Sequence, residues 1–195
     1  MSKYQKISIA SMILVFSGVF GWLYEFVFYY FNGGMKMWYM QGGNFLPWIN
    51  IYVIGAFVVL FLTRKIRNKP LLVFLISTIA TGIVEYIGGW FCLKFLNARF
   101  WNYNVEIWNF GNINGFICLR SILFFGISSM LLIYLVLPIF KKIVNKYNTK
   151  KFMIICLVIA SIFIIDEIYN LIFTKLFDLP SATKIYKSLG LHYVE

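Results

Sequence analysis

Long apolar runs, separated by short polar segments, make up most of this chain. A helix that crosses the hydrocarbon core of a bilayer needs about 20 predominantly apolar residues. Five runs approach that length, and we expect each to form a spanning helix: residues 7–31, 46–63, 71–93, 116–139 and 152–174. The second run is the shortest, and Pro47 and Asn50 near its beginning predict an irregular start.

These runs predict an all-α fold, a polytopic transmembrane helix bundle with about five spanning helices. The composition agrees, because 61% of the residues are hydrophobic and 13% are charged. The helices leave no room for a soluble domain, so residues 1–195 are expected to form a single transmembrane domain. The first run is too long for the apolar core of a secretory signal and is interpreted as a retained helix.

Basic residues concentrate in particular connecting segments and predict the orientation of the bundle. Eleven of the 18 basic residues lie at the N-terminus and after the second and fourth runs. By the positive-inside rule these segments are cytoplasmic, with the N-terminus in and the C-terminus out. The outer side then holds a loop (96–115), which contains Glu106, and a tail (175–195), in which Ser181 could cap a short helix. The net charge of +11 therefore indicates contacts with lipid headgroups and gives no support to nucleic-acid binding.

Four of the apolar runs contain ionisable residues. A charge in the hydrocarbon costs roughly 2.5–3.5 kcal/mol on insertion scales, so such residues mark candidate functional sites. At a rise of about 1.5 Å per residue, they all fall in the outer half of the bilayer. They predict one polar cavity, open to the external face and formed by Glu25, Glu85, Arg120, Asp166 and Glu167.

Arg120 admits two interpretations. As a structural brace, it would pair with one or two of the carboxylates and fasten the bundle. However, one arginine cannot neutralise four carboxylates, so the remainder must be protonated, solvated or matched by a cationic ligand. This imbalance favours a binding site.

The outer loop combines aromatic residues with six asparagines between residues 97 and 114. One interpretation is an aromatic belt at the membrane interface. The other is a lid over the cavity, because amides and aromatic faces together line sites for polar or amphipathic ligands. On the second interpretation, Trp101 and Asn114 join the substrate-binding residues.

Two classes of function fit such a cavity. The first is the binding or transport of a polar solute or a lipid headgroup. The second is a membrane enzyme that acts on a lipid-linked substrate with two carboxylates as general acid and base, or a lipid-interacting accessory protein. The sequence has no recognisable nucleophile triad or metal-ligand spacing, and its one histidine, His192, lies in the tail. Binding or transport is therefore preferred, with no cofactor or metal; Cys92 and Cys118 could form a disulfide or remain unpaired.

An ordered set of short motifs resembles the ABC-transporter type IV permease family, small integral membrane proteins found mostly in Gram-positive bacteria. The resemblance implies a permease in the bacterial plasma membrane that works with a separate ATPase subunit, since the chain has no Walker motif. The matching stretches run from the first helix to the start of the fourth: Gly21-Trp22-Leu23-Tyr24-Glu25, Leu46-Pro47 with Tyr52 and Gly55, Glu85-Tyr86 with Gly88-Gly89, Phe100-Trp101-Asn102-Tyr103, and Asn112-Ile113-Asn114-Gly115-Phe116-Ile117-Cys118-Leu119.

Two departures from the family pattern bear on the site. Asn102 stands where the family tends to have aspartate between Trp and Tyr, which removes a carboxylate from the outer loop. The family's Gly-Pro-x-x-Pro-Ile-Tyr-Gly-like element is also degraded at residues 43–48. Any role of that missing acid is not carried over to this chain.

Overall fold

A computed structural model describes residues 1–32 and 42–191. Residues 33–41, the larger part of the first predicted outer connection, and His192 lie outside this description. The described residues are predominantly helical, and their β-structure consists of one isolated bridge between Ile113 and Ile117. The helices are α1 (Lys3–Phe31), α2 (Asn50–Leu62), α3 (Pro70–Phe95), α4 (Leu119–Lys146), α5 (Lys150–Leu176) and the short α6 (Ala182–Ser188).

Four helices, α1, α3, α4 and α5, are long and apolar enough to cross a membrane. The second predicted span is not confirmed, because α2 has 13 residues. At about 1.5 Å per residue it is roughly 20 Å long, against a hydrocarbon core of about 30 Å. Residues 42–49 before it are non-helical, as Pro47 led us to expect. The all-helical class is confirmed, whereas the fifth span and the orientation of the termini stay predictions.

Local capping explains where two of the spans begin. Ser2 Oγ accepts a hydrogen bond from the Gln5 N–H, and the Gln5 side chain accepts one from the Ser2 N–H at 2.7 Å. This reciprocal capping box starts α1 four residues before the predicted start. Thr149 Oγ1 accepts from the Phe152 N–H at 3.1 Å and caps the start of α5 without a reciprocal bond.

Helix α4 continues past the predicted end at residue 139. Lys141, Lys142 and Lys146 therefore lie on its last turns and not in a loop. The helix includes a π turn, Leu132–Val136, just before Pro138. Proline lacks an N–H, and its ring clashes with the carbonyl four residues earlier, which accounts for the interruption.

The chain divides into two compact units, and each is described by itself. The terminal unit comprises Met1–Val53 and Lys141–Glu195, and in it α1 packs against α5. The central unit comprises Ile54–Phe140, and in it α3 packs against α4. The prediction that the chain is one domain stays a prediction. Among the described residues, Cys92 and Cys118 are not joined by a disulfide.

Glycines allow close approach inside the terminal unit. A Cβ added to Gly18 would lie 2.7 Å from Trp48 Cε3, and one added to Gly21 would overlap the ring of Tyr52. The Gly18 carbonyl also accepts a hydrogen bond from the Ile49 N–H at 3.0 Å. The small residues of α1 therefore receive the segment that leads into α2, and this fixes where Tyr52 lies relative to Glu25.

Candidate functional site

The predicted site residues fall into both units. Glu25, Asp166 and Glu167 belong to the terminal unit. The central unit holds Glu85 and Arg120, together with the loop residues Trp101 and Asn114. Within each unit the carboxylates have defined partners, described below, and a single cavity shared by all seven residues stays a prediction.

Glu85 is the buried acid of the central unit. Its residue is 3% exposed, although it lies on a helix apolar enough to span a membrane. The carboxylate accepts hydrogen bonds from the hydroxyl of Tyr103, in the loop, and from Ser121 Oγ of α4 at 2.9 Å. Both donors are neutral hydroxyls, and they fix the orientation of the Glu85 carboxyl group.

Arg120, on α4 beside Ser121, binds the carboxylate of Glu106. Its guanidinium also lies over the Tyr103 ring, 5.4 Å from the centroid. The side chains of the ion pair are 14% and 11% exposed, so the pair is largely sheltered from water. The bracing interpretation is thus supported with a different partner: the carboxylate comes from the loop and not from a neighbouring span.

A double-mutant cycle tests this brace. We expect Arg120→Met and Glu106→Gln each to destabilise the protein, and the double variant to lose less than the sum. The reason is that both changes remove the same sheltered ion pair, for which a coupling of about 1–2 kcal/mol is expected. Unfolding free energies of the four proteins in one detergent measure this coupling. Strict additivity would contradict the assignment of the pair as a brace.

Asparagines of the loop form hydrogen bonds within the loop itself. Asn109 Nδ2 donates to the Tyr103 carbonyl at 2.9 Å, and Asn112 Nδ2 donates to Asn104 Oδ1 at 2.7 Å. Asn112 Oδ1 in turn accepts from the Gly115 N–H at 2.8 Å. These side chains satisfy polar groups of a loop that has little regular secondary structure. The alternative of a lid over the cavity stays a prediction.

Trp101 and Asn114 likewise have internal partners. Trp101 Nε1 donates to the Phe116 carbonyl at 2.9 Å. Asn114 Nδ2 donates to the Tyr86 hydroxyl of α3 at 3.0 Å, and the Asn114 carbonyl accepts from Arg99. Both residues hold the loop together or attach it to α3, and their role in binding a solute stays a prediction.

Asp166 organises the terminal unit. Its carboxylate accepts hydrogen bonds from two consecutive backbone N–H groups, of Phe45 at 3.0 Å and of Leu46 at 2.7 Å. Asn170 Nδ2, one turn further along α5, is a third donor at 2.8 Å. The residue is 7% exposed. Through the two backbone donors, this carboxylate fixes the non-helical segment 42–49 on α5.

Glu167 faces the same segment through amides. It accepts hydrogen bonds from Asn44 Nδ2 at 2.8 Å and from Asn50 Nδ2. Asn44 is 4% exposed, so this contact is well shielded. The sequence placed Asn50 at an irregular helix start but gave no signal that its amide would bind a carboxylate on another helix.

The end of α5 connects this site to α6. Soon after Glu167, α5 contains a π turn, Tyr169–Phe173. Asn170 Oδ1, in this turn, accepts a hydrogen bond from the Ala182 N–H of α6 at 2.8 Å. The Tyr186 hydroxyl donates to the Phe45 carbonyl at 3.0 Å. Burial and the nearby charge of Asp166 raise the pKa of Tyr186, so this hydroxyl keeps its proton. Ser181 caps α6 as predicted, with its Oγ accepting from the Lys184 N–H.

Glu25 is the third of the predicted site acids in the terminal unit. It accepts a hydrogen bond from the Tyr52 hydroxyl at 2.9 Å. The Tyr52 ring in turn lies against Gly21, one turn before Glu25 on α1. Gly21 and Glu25 are four residues apart and share one face of α1, and this face receives one tyrosine.

The donor sets indicate which ligands the carboxylates can take. Glu85, Asp166 and Glu167 are held, within the described residues, by hydroxyl, amide and backbone N–H donors. Carboxyl groups held in this way can bind a cationic group or a polar donor of a ligand. The described residues contain no group of three or more side chains suited to a metal ion.

Comparison with known proteins gives one family match. The model of a family described as "Putative ABC-transporter type IV" matches residues 12–171. That range contains the four acids and the arginine of the predicted site as well as the loop. Neither the curated proteins nor the solved structures yield a match.

Proposed function

Since this chain belongs to the family described as putative ABC-transporter type IV, we propose that it is a permease-like membrane subunit that binds a polar solute. The family and the four long apolar helices support a transport-related membrane protein. The resemblance to mostly Gram-positive proteins favours the bacterial plasma membrane as its location. The carboxylates favour a solute that carries a cationic group.

The observation that carries this proposal is the burial of acids on apolar helices with neutral donors. Glu85 and Asp166 are each less than a tenth exposed, and their described hydrogen bonds come from groups without charge. Apolar side chains would serve a purely structural role at a lower free-energy cost, because burial of a charge is unfavourable unless it is fully compensated. A solute that supplies the counter-charge is a reason to keep these acids.

Active transport by such a subunit requires a second protein. The 195 residues contain no Walker motif, so ATP hydrolysis would come from a separate ATPase subunit. The basic residues at the end of α4 and the beginning of α5 are candidates for the surface that faces it. Under the predicted orientation, both lie on the cytoplasmic side.

Native mass spectrometry of the protein, gently extracted from its own membrane, tests the proposal. We expect the wild type to retain a small molecule or an ATPase subunit. Glu85→Gln removes one charge and keeps the size of the side chain, so a charge-assisted contact worth about 1.5–3 kcal/mol is lost. Occupancy of the small molecule should therefore fall by about tenfold or more.

Asp178→Asn is the matched control, since it removes the charge of an exposed acid. It should leave occupancy unchanged. A bare wild-type protein, or one that carries bulk lipid alone, would contradict solute binding. A lipid that is converted to a product by the wild type but not by Glu85→Gln would favour the membrane enzyme.

A further inference from the structure

The loop between α3 and α4 presents a cluster of exposed apolar side chains. Val105 is 81% exposed, Trp108 62% and Phe110 72%, and Ile107 is also exposed. We call these four residues the loop patch. Neither the carboxylates nor the proposed solute site makes use of them. Four exposed apolar side chains within residues 105–110 are typical of a contact with a membrane or another molecule.

The loop patch rests on a well-defined loop. Glu106, between Val105 and Ile107, forms the ion pair with Arg120 of α4. The Phe110 carbonyl also accepts a hydrogen bond from the Leu119 N–H at the start of α4, at 2.8 Å. The asparagine hydrogen bonds described above connect the rest of the loop. The patch is therefore fixed to the end of α4 and not carried on a free segment.

The backbone at Trp108 supports a specific role for the patch. Its φ is +52°, a left-handed conformation that is unfavourable for a bulky residue. Such strain persists when the surrounding contacts impose it and is typical of functional segments. Here it accompanies a large aromatic side chain that remains mostly exposed.

Continuity with the apolar helices identifies what covers the patch. The chain leaves α3 at Phe95 and enters α4 at Leu119, both of which are exposed ends of candidate spans. The last turns of α3 also expose Trp90 and Phe91. Tryptophan and other aromatic side chains favour the boundary between headgroups and acyl chains. A loop between two candidate spans that exposes the same kind of side chains is expected at the same boundary.

We propose that the loop patch inserts into the interfacial layer of the lipid bilayer and anchors the loop there. Val105, Trp108 and Phe110 enter the boundary between headgroups and acyl chains, and the asparagines remain on the polar side. This anchoring would hold the loop, with Tyr103 on Glu85, at a constant depth. It depends on the membrane-spanning helices but not on solute binding.

Depth-dependent quenching tests the proposal. Val105→Cys and Phe110→Cys each receive an environment-sensitive fluorophore, and the proteins are reconstituted into phosphatidylcholine vesicles. Both side chains are highly exposed, so either substitution is expected to leave the fold intact, and two positions guard against the failure of one. Lys146→Cys, exposed at the basic end of α4, serves as the control, and labelled wild type corrects for the native cysteines.

Nitroxide on the lipid chain near the headgroup is expected to quench the two patch labels severalfold more than the Lys146→Cys label. A water-soluble nitroxide should show the opposite order. Quenching of the patch labels by the soluble nitroxide alone would overturn the proposal, because the patch would then face water. Protection from both quenchers would also overturn it and would indicate a protein partner; either result leaves the mass-spectrometric test of solute binding unaffected.

Discussion

Asp166→Ala is expected to lower the free energy of unfolding by about 3–5 kcal/mol. The substitution removes the acceptor of the Phe45 and Leu46 N–H groups and of the Asn170 amide. A buried donor left without an acceptor costs about 1–3 kcal/mol, and more when the lost partner is charged. Chemical unfolding in a single detergent, followed by circular dichroism, measures the effect.

Two further variants sharpen this test. Asp166→Asn retains one oxygen acceptor and the size of the side chain, so its loss should be smaller than that of alanine. Asp178→Asn alters an exposed acid and should change stability by no more than a few tenths of a kcal/mol. If Asp166→Ala proved as stable as Asp178→Asn, the carboxylate would not be what holds segment 42–49.

Gly21→Ala is expected to cost about 3 kcal/mol of stability. The new Cβ would overlap the Tyr52 ring, which must then move and give up its hydrogen bond to Glu25. Overpacking of a close contact typically costs 1–3 kcal/mol, and the lost hydrogen bond adds about 1 kcal/mol. The same detergent unfolding assay measures the change.

Gly55→Ala is the matched control for this glycine. It also lies within a helix, but its added Cβ would meet Thr81 Cγ2 at 3.6 Å, an ordinary contact. Alanine is favoured over glycine in a helix by about 0.5–1 kcal/mol, so this variant should be neutral or slightly stabilised. Equal destabilisation by both alanines would show that close packing on Tyr52 is not the cause.

The long spans could be predicted because each depends on a local property of the chain. An apolar run of sufficient length determines a helix in lipid almost alone, and α1, α3, α4 and α5 follow such runs. Segment 42–49 is non-helical, as its Gly42, Gly43 and Pro47 favour, but its path depends on a distant partner. Asp166, more than a hundred residues away, accepts hydrogen bonds from the Phe45 and Leu46 N–H groups.

The acids were found from sequence, but their partners were not. A carboxylate within an apolar run is conspicuous, as at Glu85. Tyr103 and Ser121 resemble ordinary interfacial and small packing residues, and nothing local shows that both point at Glu85. The loop asparagines were conspicuous because of their number, which favoured a lid over the cavity. Nothing local in the sequence shows that Asn109 and Asn112 form hydrogen bonds within the loop itself.

The way Asp166 binds segment 42–49 has an evolutionary consequence. The carboxylate contacts backbone N–H groups, which every residue except proline supplies. At Leu46, therefore, this contact is compatible with every residue type except proline. The next residue is Pro47, whose nitrogen carries no hydrogen and does not bind Asp166. Homologues can thus diverge at positions 45 and 46 without loss of this contact, as long as the aspartate on α5 is kept.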